Sequence, residues 1–134
     1  MADREWGGDG ASTRERGRDA EALAAAWLES KGFTVLDRNH ATRRGEVDLI
    51  CEEGETLCFV EVRSRTGRDR GGPEESVGRL KARRVVAAAT HWALTHGCLE
   101  RTMRFDLVSL VRGSAGPSLD LVRGAFDASG RQVI

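Results

Sequence analysis

Ala20, Leu23, Ala24, Trp27 and Leu28 recur at i, i+3, i+4, i+7 and i+8, the spacing of a single buried helical face. This predicts a first helix from about Ser12, with Ser12 or Thr13 as N-cap, to Gly32 as a C′ glycine. Residues 33–38 read as a first strand. Two apolar, β-prone runs then flank Glu53-Gly54-Glu55-Thr56, a hairpin turn with glycine at its first central position, and give strands over about 46–52 and 57–64. The stretch 66–73 (Thr-Gly-Arg-Asp-Arg-Gly-Gly-Pro) reads as a basic loop. A second helix is expected over 74–95, closed by Gly97, with Val77, Val85, Ala88 and Trp92 on one arc and Lys81 inside it. Residues 103–111 alternate as a fourth strand, and 119–126 form a short edge strand after a turn at 113–117. Helix, three strands, helix and strand make an α/β domain, a mixed sheet flanked by helices.

The hairpin carries the chemistry. With Gly54-Glu55 as a two-residue loop, Asp48 faces Glu61, Ile50 faces Phe59 and Glu46 faces Arg63, all on one face, because strand side chains alternate with period two. Like charges directly opposed destabilise a sheet, and carboxylates inside apolar strands are costly, so this pair calls for a cation. Glu21 sits at the rim of the first helix's apolar stripe, placed to look towards them. Such oxygen donors suit Mg²⁺ or Mn²⁺, which activate water and neutralise charge developing on a phosphoryl group. The plainer alternative pairs Asp48 and Glu61 with neighbouring arginines on a solvated face. Arg63 and Arg65 follow on the third strand. A guanidinium holds phosphate bidentately but cannot act as a general base. Lys81 is either a site residue or a surface lysine with a buried stem. Asp106 reads as structural support. His40, His91 and His96 show no metal-ligand spacing and read as solvent-facing or edge-of-core residues.

Composition narrows the field. At 134 residues the chain is one domain large enough for a core of its own: a tail over 1–13 expected to be disordered, a domain over 14–127, and a loose end over 128–134. Charge balances at 21 basic and 21 acidic residues, but 63–84 holds eight basic residues against three acidic, a patch that can recruit phosphate. Three cysteines without a C-x-x-C pair fit a reducing compartment, and the cytoplasm is the expected location. No apolar run approaches the ~20 residues of a membrane span, and no signal-peptide core precedes the first helix. Neither a phosphate-binding loop motif nor a serine-hydrolase elbow occurs. Aromatic residues make up 5% and tyrosine is absent, which argues against a base-stacking platform for single strands.

Glu21, the run Gly45-Glu46-Val47-Asp48-Leu49-Ile50, the run Phe59-Val60-Glu61-Val62-Arg63-Ser64-Arg65, Lys81 and Arg104-Phe105-Asp106 together resemble the YraN-type bacterial family. That family is assigned to the P-D-(D/E)-x-K, restriction-endonuclease-like superfamily, which also holds archaeal Holliday junction resolvases. The resemblance spans roughly residues 14 to 111. It implies a restriction-endonuclease-like αβββαβ core and a divalent metal, Mg²⁺ or Mn²⁺, ligated by Glu21, Asp48 and Glu61, with the Val62 carbonyl as a further ligand. In that superfamily a lysine normally stands where this chain has Arg63. Arg63 keeps the charge and can stabilise the transition state but cannot take a proton, so either the metal-bound water suffices, or Lys81 supplies the lysine from the second helix, or catalysis is weak. The function implied is a metal-dependent endonuclease acting on DNA phosphodiesters, branched DNA included. Asp48, Glu61, Arg63 and Lys81 would be catalytic, and Arg43, Arg44, Arg65, Arg68 and Arg70 would hold the flanking backbone. A homodimer is a further expectation, since symmetric cuts need paired sites. The alternative is a non-catalytic nucleic-acid-binding module that keeps the nuclease fold. A protein-interaction domain whose basic stretch meets an acidic partner ranks last.

Overall fold

Five strands, adjacent in chain order, form one sheet with a helix packed on each face. The computed structural model describes residues 13–66 and 77–133. Residues 1–12 of the expected tail with the N-cap candidate Ser12, the basic loop with Arg68 and Arg70, and positions 74–76 of the second helix lie outside the described residues, while Thr13 already belongs to the first helix. The elements are α1 (Thr13–Ser30), β1 (Thr34–Ala41), β2 (Glu46–Glu53), β3 (Thr56–Thr66), α2 (Arg79–Thr95), β4 (Met103–Gly113) and β5 (Gly116–Phe126). Strands β1, β2 and β3 run antiparallel, β4 lies parallel to β3, and β5 returns antiparallel. A parallel join needs a crossover, and α2 supplies it.

Alternation along β2 and β3 divides the core. Ile50, Leu57 and Phe59 point to one side, where Ala82, Val85, Ala88, Ala89 and Trp92 of α2 cover them. Leu49, Cys51, Cys58 and Val60 point to the other, beneath Ala24, Ala25 and Leu28 of α1. Leu23, expected in the buried stripe, is instead 39% exposed, and Ala25 takes the inward position. Small alanines facing the sheet move the buried arc round the helix. Buried Cys51 and Cys58 are free thiols pushed up to about 12 by burial, so they behave as small apolar side chains.

The hairpin turn forms as its sequence requires. Glu53 pairs with Thr56, Ile50 pairs with Phe59, and Gly54 takes φ +60°. Three boundaries differ from expectation. The second helix begins at Arg79, because Gly78 is its extended N-cap (φ −56°, ψ 148°) while Val77 packs into the core before the helix starts. Strand β1 continues to Ala41, carried by its ladder to β2. Strand β5 is a full eleven residues, since its hairpin with β4 pairs from Gly113–Gly116 onward; its many exposed positions mask it in the sequence. Beyond it, Phe126 bridges Gln132, whose side-chain amide donates to the Val77 carbonyl at 2.6 Å. Among the described residues no helix is long and apolar enough to cross a membrane.

Candidate acidic site and its basic rim

The β2–β3 ladder runs from Glu53–Thr56 to Leu49–Val60. Past that pair the Asp48 side chain replaces the backbone, its Oδ2 accepting the Val62 N–H at 2.8 Å. The strand also turns over here. Val47 packs on the α2 side while Leu49 packs on the α1 side, although residues two apart on a regular strand share a face. Asp48 therefore sits at the turnover and lines clefts on both sides of it. This corrects the expected ladder: Glu46 pairs with Ala41 of β1, and Arg63 with Ser109 of β4, rather than with each other.

Three acids meet through Asp48. It is 8% exposed and Glu61, on β3, only 4%. Glu21 of α1 and Glu61 each stand close enough to Asp48 for its charge to act on them. Burial, then the Asp48 charge, raises Glu21 to about 7. Burial and the same neighbour raise Glu61 to about 8, against the opposing pull of Lys81. One oxygen of each glutamate, Glu21 Oε1 and Glu61 Oε1, is buried without a hydrogen-bond partner. Buried carboxyl oxygens without partners are costly and fit a cation, and an all-oxygen donor set fits a hard one such as Mg²⁺. Among the described residues no three acidic, histidine or cysteine side chains are already gathered as a cation cage. The arrangement is instead a chain with Asp48 in the middle, and Lys81 holds its far end.

Lys81 Nζ reaches Glu61 Oε2 at 2.8 Å while 62% of its side chain stays exposed. Partial burial alone would lower its pKa, but Glu61 outweighs that and raises it. Lys81 is thus an ammonium at neutral pH and not a base. Arg63 is near enough for its charge to oppose that of Lys81.

A cleft of about 860 Å³ opens over Asp48, Glu61 and Lys81 on the α2 side, walled by Arg43, Arg44 and Arg84. The β1–β2 turn that carries Arg43 and Arg44 is held by Thr42 Oγ1, which accepts the N–H groups of Arg44 (3.1 Å) and Gly45 (3.2 Å). A second cleft of about 510 Å³, on the α1 side, is lined by Glu21, Asp48, Val62, Arg65 and Arg112. Arg65 Nη2 donates to Ser109 Oγ at 3.4 Å. Arg84 was missed in the site reading, although it lies three residues after Lys81 on one helical face. Arg112 comes from β4, opposite Thr66, and no sequence signal points to it. Asp106 lies apart. Fully buried, it accepts two bonds from Arg104 (2.8 and 2.9 Å) and the Gly124 N–H (3.0 Å), a structural role.

Residues 20–110 match the model of the Uncharacterised protein family UPF0102. The chain is 62% identical over 124 residues to a UPF0102 protein of Anaeromyxobacter sp. (strain Fw109-5), covering 92% of this chain and 93% of that protein. It is 42% identical over 118 residues to one of Myxococcus xanthus (strain DK1622), covering 88% and 94%. It is 40% identical to one of Pseudomonas aeruginosa (strain LESB58), covering 96% of this chain and all of that protein. The chain belongs to the UPF0102 family.

Proposed function

We propose that this protein is a divalent-metal-dependent endonuclease-like hydrolase of DNA phosphodiesters built on a restriction-endonuclease-like core. One observation carries the reading: three neighbouring acids, two of them with buried, unpartnered oxygens, lie beneath a cationic rim. Glu21, Asp48 and Glu61 would hold Mg²⁺ or Mn²⁺, with the Val62 carbonyl as a further donor. Bound there, the ion supplies charge neutralisation and water activation. Lys81 and Arg63 grip the scissile phosphate, and neither takes a proton: Lys81 stays charged beside Glu61, and a guanidinium does not deprotonate. Arg43, Arg44 and Arg84 steady the backbone on one side, Arg65 and Arg112 on the other. Contacts of this type position a strand without reading bases, so structured or branched DNA is favoured over a particular sequence.

A second reading is a nucleic-acid-binding module without turnover. It draws on Lys81 occupying Glu61 and on Arg63 standing where the superfamily uses lysine. Labelled four-way junction and linear duplex, incubated with Mn²⁺, Mg²⁺ or EDTA beside Asp48→Ala and Glu61→Ala, separate the two. Metal-dependent cleavage lost in both variants supports the nuclease. Salt-sensitive binding without cutting in any metal, unchanged in the variants, leaves the binding module.

A further inference from the structure

Away from the acidic cleft, β1 and α2 bring two histidines together. His40 Nε2 lies 3.1 Å from His91 Nδ1, with the rings 18° from parallel. Two nitrogens held at 2.0–2.1 Å by one tetrahedral ion stand about 3.3 Å apart, so this pair already has the span of adjacent ligands. His91 is exposed and His40 half-buried, which leaves open water on the remaining side. The neutral imidazole ring is the form that ligates. Asp37 adds a fixed negative charge nearby, anchored by Trp92 Nε1 at 2.9 Å and the Arg38 N–H at 2.8 Å. His96 is engaged elsewhere, stacked on Trp92 with its Nδ1 2.9 Å from the Trp92 carbonyl.

We propose that His40 and His91 form a two-histidine site for a borderline divalent transition metal (Zn²⁺, Ni²⁺ or Cu²⁺), with water completing the shell. Imidazole selects these ions, as carboxylate selects Mg²⁺ and Mn²⁺, so the site is chemically separate from the acidic cleft and does not depend on its reading. Binding requires that the ring now donating the N–H···N bond carry its proton on the other nitrogen and that the two rings tilt so that both lone pairs converge on the ion. With two protein ligands the ion is exchangeable. Its consequence is mechanical: His40 adjoins Ala41 at the cleft wall, and α2 carries Lys81 and Arg84, so the ion clips the two walls together.

Tag-free protein titrated with Zn²⁺ by calorimetry, and with Cu²⁺ under electron paramagnetic resonance, tests this. The expected result is one ion per chain with nitrogen couplings from two imidazoles, and a melting temperature raised by Zn²⁺. His40→Gln and His91→Gln should each weaken binding at least tenfold, the lower end of what even an indirect ligand contact contributes. His96→Gln and Asp48→Ala should leave binding intact, and circular dichroism of each variant without metal checks its fold. Zn²⁺ affinity unchanged in both histidine variants, loss only in Asp48→Ala, or an adventitious ion only, at millimolar concentration, would each overturn the proposal.

Discussion

Replacing Gly45 by alanine should force apart the two walls of the main cleft. A Cβ at this position would lie 2.0 Å from the Arg84 carbonyl oxygen, 2.6 Å from its carbonyl carbon and 2.8 Å from its Cβ. The first two are helix backbone, so no flexible side chain can swing aside. Cβ contacts below 3.0 Å are essentially unknown, so the hairpin and α2 must separate by roughly 1 Å. Overpacking of this kind costs about 1–3 kcal/mol, and with backbone on both sides the upper end is expected. That is a large share of the roughly 5–15 kcal/mol that holds an ordinary domain folded. Urea unfolding should show a lower midpoint at unchanged slope. Gly54→Ala is the comparator: its Cβ meets nothing, and only its φ of +60° is penalised, by about 1–2 kcal/mol. The displaced wall carries Arg43 and Arg44, and a shift of that size can cost about a hundredfold in rate. A loss below about 0.5 kcal/mol in Gly45→Ala would refute the close approach and this account of the glycine.

Three further outcomes follow from the site. Glu21 and Glu61 have folded values near 7 and 8 against ordinary values of 4.5, so their contribution to stability is full below about pH 4.5 and disappears as pH rises through 7 to 8. The melting temperature of EDTA-treated protein should therefore fall from pH 5 to 8.5, with Mg²⁺ restoring it at the alkaline end; a flat profile in both conditions counts against buried acids there. Lys81→Met removes the ammonium from Glu61. Cleavage should drop about 10²–10³-fold, as for loss of one transition-state donor, with partial recovery in Lys81→Arg; unchanged turnover would remove Lys81 from the mechanism. Asp106→Ala strands the Gly124 N–H and takes two bonds from Arg104, which keeps Glu53, and should cost about 1–3 kcal/mol while leaving cleavage per folded molecule intact. Lost cleavage at full stability would make Asp106 a site residue.

Much of the site was legible because its parts are local. The two-residue loop at Gly54-Glu55 sets which residues of β2 and β3 oppose each other, and the pairs up to Leu49–Val60 form as read. That register brings Asp48 and Glu61 to the same end of the hairpin. The reading fails one residue further on. It assumed that the ladder continues, whereas Asp48 leaves it and spends an oxygen on the Val62 N–H. A side chain that replaces a backbone partner leaves no trace in a periodic pattern. The basic loop with Arg68 and Arg70 lies outside the described residues, so the rim is drawn from Arg43, Arg44 and Arg84.

Helix and strand periods, the glycine turns and the apolar faces arise from interactions within a few residues, and the sequence alone determined them: two helices, a hairpin, the sides each buries, and three acids with a lysine as candidates. Tertiary structure decided which groups touch. The crossover through α2 lays Lys81 on Glu61 from far along the chain, presses Arg84 against Gly45, and sets His91 beside His40. These contacts depend on how one element's rotation and depth meet another's, quantities set by the whole core. A hydrophobic pattern specifies that a face is buried; it does not specify the ångström at which the opposing backbone stops.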